Sequence, residues 1–158
     1  MNNQDFTTKI LVDQTPEEVF NAVTNVRGWW SQATLGETDR LGAVFYYHHQ
    51  DVHRCTLTVT ELVPGKRIVW HVLHNAFDFV QDGSEWNDTD IVFEINGKGG
   101  ETEVRFRHLG LVPAYECYDV CSNAWGNYIT GSLRSLIAKG EGQPNPDDEL
   151  LARVPRRT

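Results

Sequence analysis

A chain of 158 residues has room for one core rather than two. Its five Trp, five Tyr and seven Phe can fill that core without disulfides or a structural metal. A formal net charge of −8 argues against nucleic acid as a partner and against an anionic membrane surface. Arg153, Arg156 and Arg157 close the chain with no acid among them, so the remainder is more acidic still.

In chain order, Phe6 to Val12 reads as a first strand. Thr15-Pro16-Glu17-Glu18 is a helix start, with a Thr N-cap, Pro at the first helical position and Glu three residues after the cap. That helix carries Val19, Phe20 and Val23 on one side and should end near Asn25, with a second short helix over Val26 to Trp30. Ala43 to His48 reads as a strand. In the next, Cys55 to Thr60, Leu57 and Val59 face one way and the Thr residues the other. Pro64-Gly65 turns the chain into Arg67 to Leu73. A polar loop is expected from about Asn75 to Asp88, then a hairpin of Asp90 to Asn96 and Thr102 to Leu109 around Gly97-Lys98-Gly99-Gly100. Val104, Phe106 and His108 share one face of that last strand, while Arg105 and Arg107 share the other.

From about Pro113 to Lys139 the period becomes helical, giving roughly 39 Å of helix at 1.5 Å per residue. Asp119, Asn123, Asn127, Thr130 and Arg134 form a polar arc. The middle of the opposite arc, which includes Cys117, Cys121, Ala124, Gly131, Ser132 and Ser135, is small where a packed helix normally carries Leu or Ile. Close approach of the helix to the sheet, or modest kinks at Gly126 and Gly131, would account for this. A cavity between helix and sheet is the sharper account.

This order of elements resembles the START-like (SRPBCC) helix-grip superfamily that includes the birch-pollen allergen, and within it the heat-shock-protein ATPase activator homologues. The resemblance spans about residues 5–140. It is carried by Thr15 to Phe20 with Trp29-Trp30, by Glu61-Leu-Val-Pro-Gly-Lys-Arg-Ile-Val-Trp70, by Glu85-Trp-Asn-Asp-Thr89, by Arg107-His-Leu-Gly-Leu111 and by Trp125-Gly-Asn-Tyr-Ile-Thr-Gly-Ser-Leu133. It implies an α+β helix-grip fold: a curved antiparallel sheet wrapped around a long C-terminal helix, with two short helices after the first strand. One domain is expected over residues 1–140, with a tail over 141–158. The superfamily includes hydrophobic-ligand carriers, polyketide cyclases, hydrolase-like members and chaperone activators, so fold alone leaves activity open.

The residues themselves favour a binding domain for a small apolar or aromatic molecule, with Trp30, Phe45, Trp70, Phe93, Phe106, His108, Trp125 and Tyr128 as the cavity lining. His108 is the one candidate for chemistry, as acid or base of a cyclase or hydrolase with Tyr46, Tyr47 or Tyr128 beside it; otherwise it holds a strand-to-helix corner. The resemblance adds a chaperone as an alternative partner. His48 and His49 point to opposite faces of a strand, and with His53 are expected around an exposed turn rather than on a metal. Cys55, Cys117 and Cys121 lack metal-ligand spacing and read as core. No nucleotide, hydrolase or metalloprotease motif occurs, so neither cofactor nor metal is expected and no reaction is identified. Trp86, in a loop, could bury against a second copy, which makes a homodimer compatible with the sequence. No apolar run approaches the roughly 20 residues that span a bilayer. MNNQDFTTKI has no signal-type apolar segment, and three cysteines suit a reducing compartment, so the cytoplasm is expected.

Overall fold

The computed structural model describes residues 5–49, 53–78, 81 and 85–145. Parts of the expected 75–88 loop, residues 50–52 of the expected exposed turn and the tail from 146 onward, with its three arginines, lie outside the described residues. Six antiparallel strands form one curved sheet in the order β1-β6-β5-β4-β3-β2. They are β1 (Phe6–Val12), β2 (Val44–His49), β3 (His53–Val63), β4 (Arg67–Phe77), β5 (Asp90–Lys98) and β6 (Glu101–Leu109). Two short helices, α1 (Pro16–Thr24) and α2 (Val26–Trp29), follow β1. The long helix α3 runs 22 residues, from Tyr118 to Lys139, and completes the expected helix-grip arrangement.

Local chemistry sets these boundaries. Thr15 Oγ1 accepts the Glu18 amide at 3.1 Å while the Glu18 carboxylate accepts the Thr15 amide at 3.0 Å, so two of the orphan amides at the start of α1 are satisfied. Helix α3 begins at Tyr118 rather than near Pro113. Residues 113–117 form turns, and the Glu85 carboxylate accepts the Glu116 and Cys117 amides at 2.8 and 3.1 Å. Gly140, at φ +80°, closes the helix in the left-handed conformation.

Period-two alternation puts Leu57, Val59, Ile68, Trp70, Val72, Phe93, Val104 and Phe106 on the buried inner face. On the outer face Arg67 pairs with Glu94 at 2.7 Å and Arg107 with the same carboxylate at 3.1 Å. Strands β3 and β4 run further than the alternation suggests. Thr56 pairs with His74 and Leu57 with Val72, which leaves Leu73 as an extra residue in β4. This bulge inverts the phase: beyond it Asn75 and Phe77 turn inward, and β4 continues where a loop was expected.

Helix α3 is not α-helical throughout. Tyr118–Asn127 and Arg134–Lys139 are α-helical, and Tyr128–Leu133 between them is a π-helical turn. The reason lies in the spacing of its buried side chains Cys121, Trp125, Ile129, Leu133 and Ile137, which recur every fourth residue and continue the step from Cys117 at the N-cap. In a regular α-helix each such step drifts about 40° around the axis. A wider π turn takes up the drift and keeps the row against the sheet. The same turn rotates Gly131 outward, so Gly131 is exposed and Ser132 is buried. The expected stripe of small residues facing the sheet is therefore broken. A Cβ built on Gly126 or Gly131 meets no atom within 4 Å, so neither glycine marks a close approach.

Candidate functional site

A cavity of about 130 Å³ opens between the N-terminal half of α3 and the β2–β3–β4 end of the sheet. Tyr47 and His49 of β2, His53 of β3 and Phe77 of β4 form the sheet side. Val120, Cys121, Ala124, Trp125 and Tyr128 form the helix side, and Trp30 and Trp86 close the ends. Among the described residues, no Lys, Arg, Asp or Glu contributes to this lining. The lining is mostly aromatic, and its few polar groups are specific ones.

Of the eight residues expected to line a cavity, Trp30, Trp125 and Tyr128 do so. Phe45, Trp70, Phe93 and Phe106 are fully buried beneath the wall, packed ring against ring. Trp30 stacks on Trp70 at 5.9 Å, Phe93 meets Trp70 edge-on at 4.9 Å, and Phe106 lies 4.7 Å from Trp125. The cavity wall proper includes Tyr47, His53, Phe77, Trp86 and Cys121, which sequence reasoning did not assign to it. Carrying the β3 alternation back from Cys55 would have pointed His53 inward. The bulge at Leu73 hid Phe77.

His108 lies behind the wall, with no exposure to solvent. The Trp125 indole N–H donates to its Nδ1 at 3.0 Å, so Nδ1 is the acceptor and the proton resides on Nε2. Nε2 donates to Thr89 Oγ1 at 2.8 Å, and the Thr89 hydroxyl donates to the Trp86 carbonyl at 2.6 Å. Burial pushes the His108 pKa down to about 3, with a smaller contribution from His53. The imidazole is thus neutral and both nitrogens are engaged. None of Tyr46, Tyr47 and Tyr128 is its partner. The strand-to-helix corner is what it holds. Gly110, at φ +100°, lets the chain pass over Thr89, where a Cβ would lie 2.7 Å from Thr89 Cγ2.

His53 is also buried, contrary to the expected exposed turn. Its Nε2 meets Asn75 Oδ1 at 2.6 Å, and its ring packs on Phe77 at 4.2 Å and Trp86 at 4.8 Å. Burial lowers its pKa to about 4, against the opposing pull of Asn75. Trp86 is likewise buried within its own chain, stacked 5.7 Å from Trp125, and so is not a surface for a second copy. The Cys117 thiol and burial hold the Cys121 thiol far above its ordinary range, so it is no thiolate nucleophile. Among the described residues, no group of three or more His, Cys, Asp or Glu is placed to share a metal ion.

The segment 141–145 runs back across the rim, where a tail was expected to begin. The Asn145 amide nitrogen donates to Trp30 O at 2.9 Å, and its carbonyl accepts the Gln32 amide at 2.9 Å. Its side-chain amide donates to the hydroxyls of Tyr47 and Tyr128 at 3.1 and 2.7 Å. Burial raises the Tyr47 pKa, with Tyr128 adjacent, so this phenol stays protonated.

The model of the family described as "Activator of Hsp90 ATPase homolog 1-like protein" matches residues 13–138. The chain belongs to this family. No functionally curated protein matches it. Among solved structures, the Aha1 dimer from Colwellia psychrerythraea is 22% identical, with a TM-score of 0.71 over 87% of this chain and 98% of that one. DynU16, from the dynemicin biosynthetic locus, is 15% identical, with a TM-score of 0.67 over 89% of this chain and 49% of that one. Protein MLL2253 from Mesorhizobium loti is 13% identical, with a TM-score of 0.64 over 83% of this chain and 95% of that one. These likenesses concern the fold. No helix among the described residues is long and apolar enough to cross a membrane.

Proposed function

We propose that this family member binds a small apolar or aromatic molecule in the cavity beside α3. The observation that carries the reading is an aromatic-lined cavity with no Lys, Arg, Asp or Glu on its wall among the described residues. Its volume compares with the roughly 150 Å³ of an engineered apolar cavity that admits benzene. Pockets that bind small molecules are mostly apolar, with a few polar groups that fix orientation. The three free, buried thiols suit a reducing cytoplasm. Native mass spectrometry of protein purified from its own host, combined with an amide NMR titration with toluene, tests the proposal. Expected are a retained small mass or saturable one-to-one binding, either of which Ala124→Leu, by filling the cavity, would remove. If there is neither a retained mass nor saturation, the proposal fails.

A second reading, work on a chaperone, is favoured by family membership. Stimulation of an Hsp90 ATPase by micromolar protein would support it, and an unchanged ATPase rate would count against it. The named dimer among the similar structures suggests a homodimer. Exposed Leu35, Val44 and Tyr46 lie along the outer edge of β2, where Leu35 bridges Tyr46, and offer an apolar surface for it.

A further inference from the structure

We propose that the cavity takes an uncharged aromatic molecule bearing a hydrogen-bond donor, such as a phenol or an aryl amine, and seats that donor on His53 Nδ1. This inference rests on the reading of the cavity as a binding site and adds the chemistry of the guest.

Two features of the β2–β3 end of the wall carry it. The first is the tautomer of His53. Asn75 Oδ1 can only accept, so the 2.6 Å contact makes His53 Nε2 the donor. Asn75 is itself held in place, its main-chain amide donating to Asn87 Oδ1 at 2.6 Å. Burial holds the His53 pKa at about 4, so at neutral pH the ring carries one proton, and that proton is spent on Asn75. Nδ1 therefore keeps its lone pair, on a buried side chain that lines the cavity. The second feature is His49, the cross-strand partner of His53 and part of the same wall, whose Nδ1 is buried with no hydrogen-bond partner among the described residues. A hydrocarbon that displaces solvent from this end leaves Nδ1 of His53 bare, at the cost of a stranded buried acceptor. A phenolic O–H or an aryl N–H restores the lost bond while its ring stays against the aromatic wall. A carboxylate would set its oxygens against an acceptor, with no Lys or Arg on the described wall to replace its water.

The test is an amide NMR titration at neutral pH with phenol, toluene and anisole, the last being phenol with its donor capped by a methyl group. Phenol should bind about threefold to tenfold more tightly than toluene, as one added buried hydrogen bond allows, and anisole should gain nothing over toluene. In His53→Phe, which keeps a ring against Phe77 and Trp86, the order of phenol and toluene should reverse, because the phenol hydroxyl is then buried without its acceptor. Circular dichroism and retained toluene binding check that the variant is folded with its cavity intact. Nitrogen NMR of the imidazoles in the unaltered protein gives a second measurement that needs no variant. His53 Nδ1 should be the unprotonated nitrogen, and phenol but not toluene should shift its resonance upfield. A preference for phenol that survives in His53→Phe overturns the seat, as does an Nδ1 resonance that phenol leaves in place. Binding of toluene or anisole as tight as that of phenol overturns the donor preference and leaves the cavity reading standing. Binding of none of the three overturns the cavity reading itself.

Discussion

At the scale of single residues, the proton on His108 is fixed by what surrounds it. Because Trp125 can only donate, Nδ1 must accept, and the chain through Thr89 to the Trp86 carbonyl follows from that. An imidazole held in this way is a joint between β6, α3 and the segment before β5. His108→Leu fills much of the same volume but leaves the Trp125 N–H without its acceptor, while the Thr89 hydroxyl keeps its bond to the Trp86 carbonyl. At roughly 1–3 kcal/mol for one stranded buried donor, a loss of about 1–3 kcal/mol is expected. Urea denaturation measures it. Toluene uptake by the folded variant should be unchanged, because His108 is not part of the wall. A large loss of uptake with little loss of stability would mean that the imidazole reaches the guest.

At the scale of elements, much of the fold was legible because it is written in short-range chemistry. The capping box at Thr15, the Pro64-Gly65 turn and the alternation of Leu57 and Val59 depend on neighbours a few residues away, and all appear where the chain places them. The cavity was less legible because a phase error in β4 and a short reading of β3 stand between sequence and wall. The bulge at Leu73 inverts the alternation of β4 and has no reliable local signature, and His53 lies one alternation step before the stretch read as a strand. The eight aromatic and histidine residues singled out are all drawn inward, yet whether an inward ring lines a void or fills it depends on its opposite neighbour. Phe93 meets Trp70, whereas Trp86 meets a gap.

The glycines of α3 test the same point. Since no atom lies within 4 Å of a Cβ built on Gly126, Gly126→Ala should stabilise the protein by about 0.5–1 kcal/mol through helix propensity and a less flexible unfolded chain. A destabilisation of that size, read from the urea midpoint, would restore the close-approach reading of the small residues.

For the whole molecule, two buried histidines set the response to acid. His53 at about 4 and His108 at about 3 remain neutral in the fold where the unfolded chain takes up two protons near pH 6.5. Their contribution to stability is complete above that pH and falls as pH drops below it, because the unfolded state then binds more protons. The slope should approach about 2.7 kcal/mol per pH unit between roughly pH 5.5 and 4.5, with two protons taken up at about 1.4 each. His71, raised by its bond to Asp90, works in the opposite sense, but its exposure makes the effect small. Urea denaturation from pH 7 to 4.5 should show the decline, and His53→Gln should halve its slope. A flat profile would show that these imidazoles are not neutral in the fold.

The position of β1 beside β6 also orders events in time. Strands β2 to β6 each pair with their neighbour in sequence, so that part of the sheet can assemble by successive short closures. The first strand has no such route: Phe6 lies opposite His108, and Ile10 opposite Val104. Closing so long a loop carries its entropic cost before any contact rewards it, so β1 should dock after the rate-limiting barrier. Ile10→Val should therefore speed unfolding and leave the refolding rate nearly unchanged, whereas Leu57→Ala in the central meander should slow refolding. Stopped-flow chevrons distinguish the two outcomes, and a slowed refolding limb for Ile10→Val would place the long-range closure inside the nucleus.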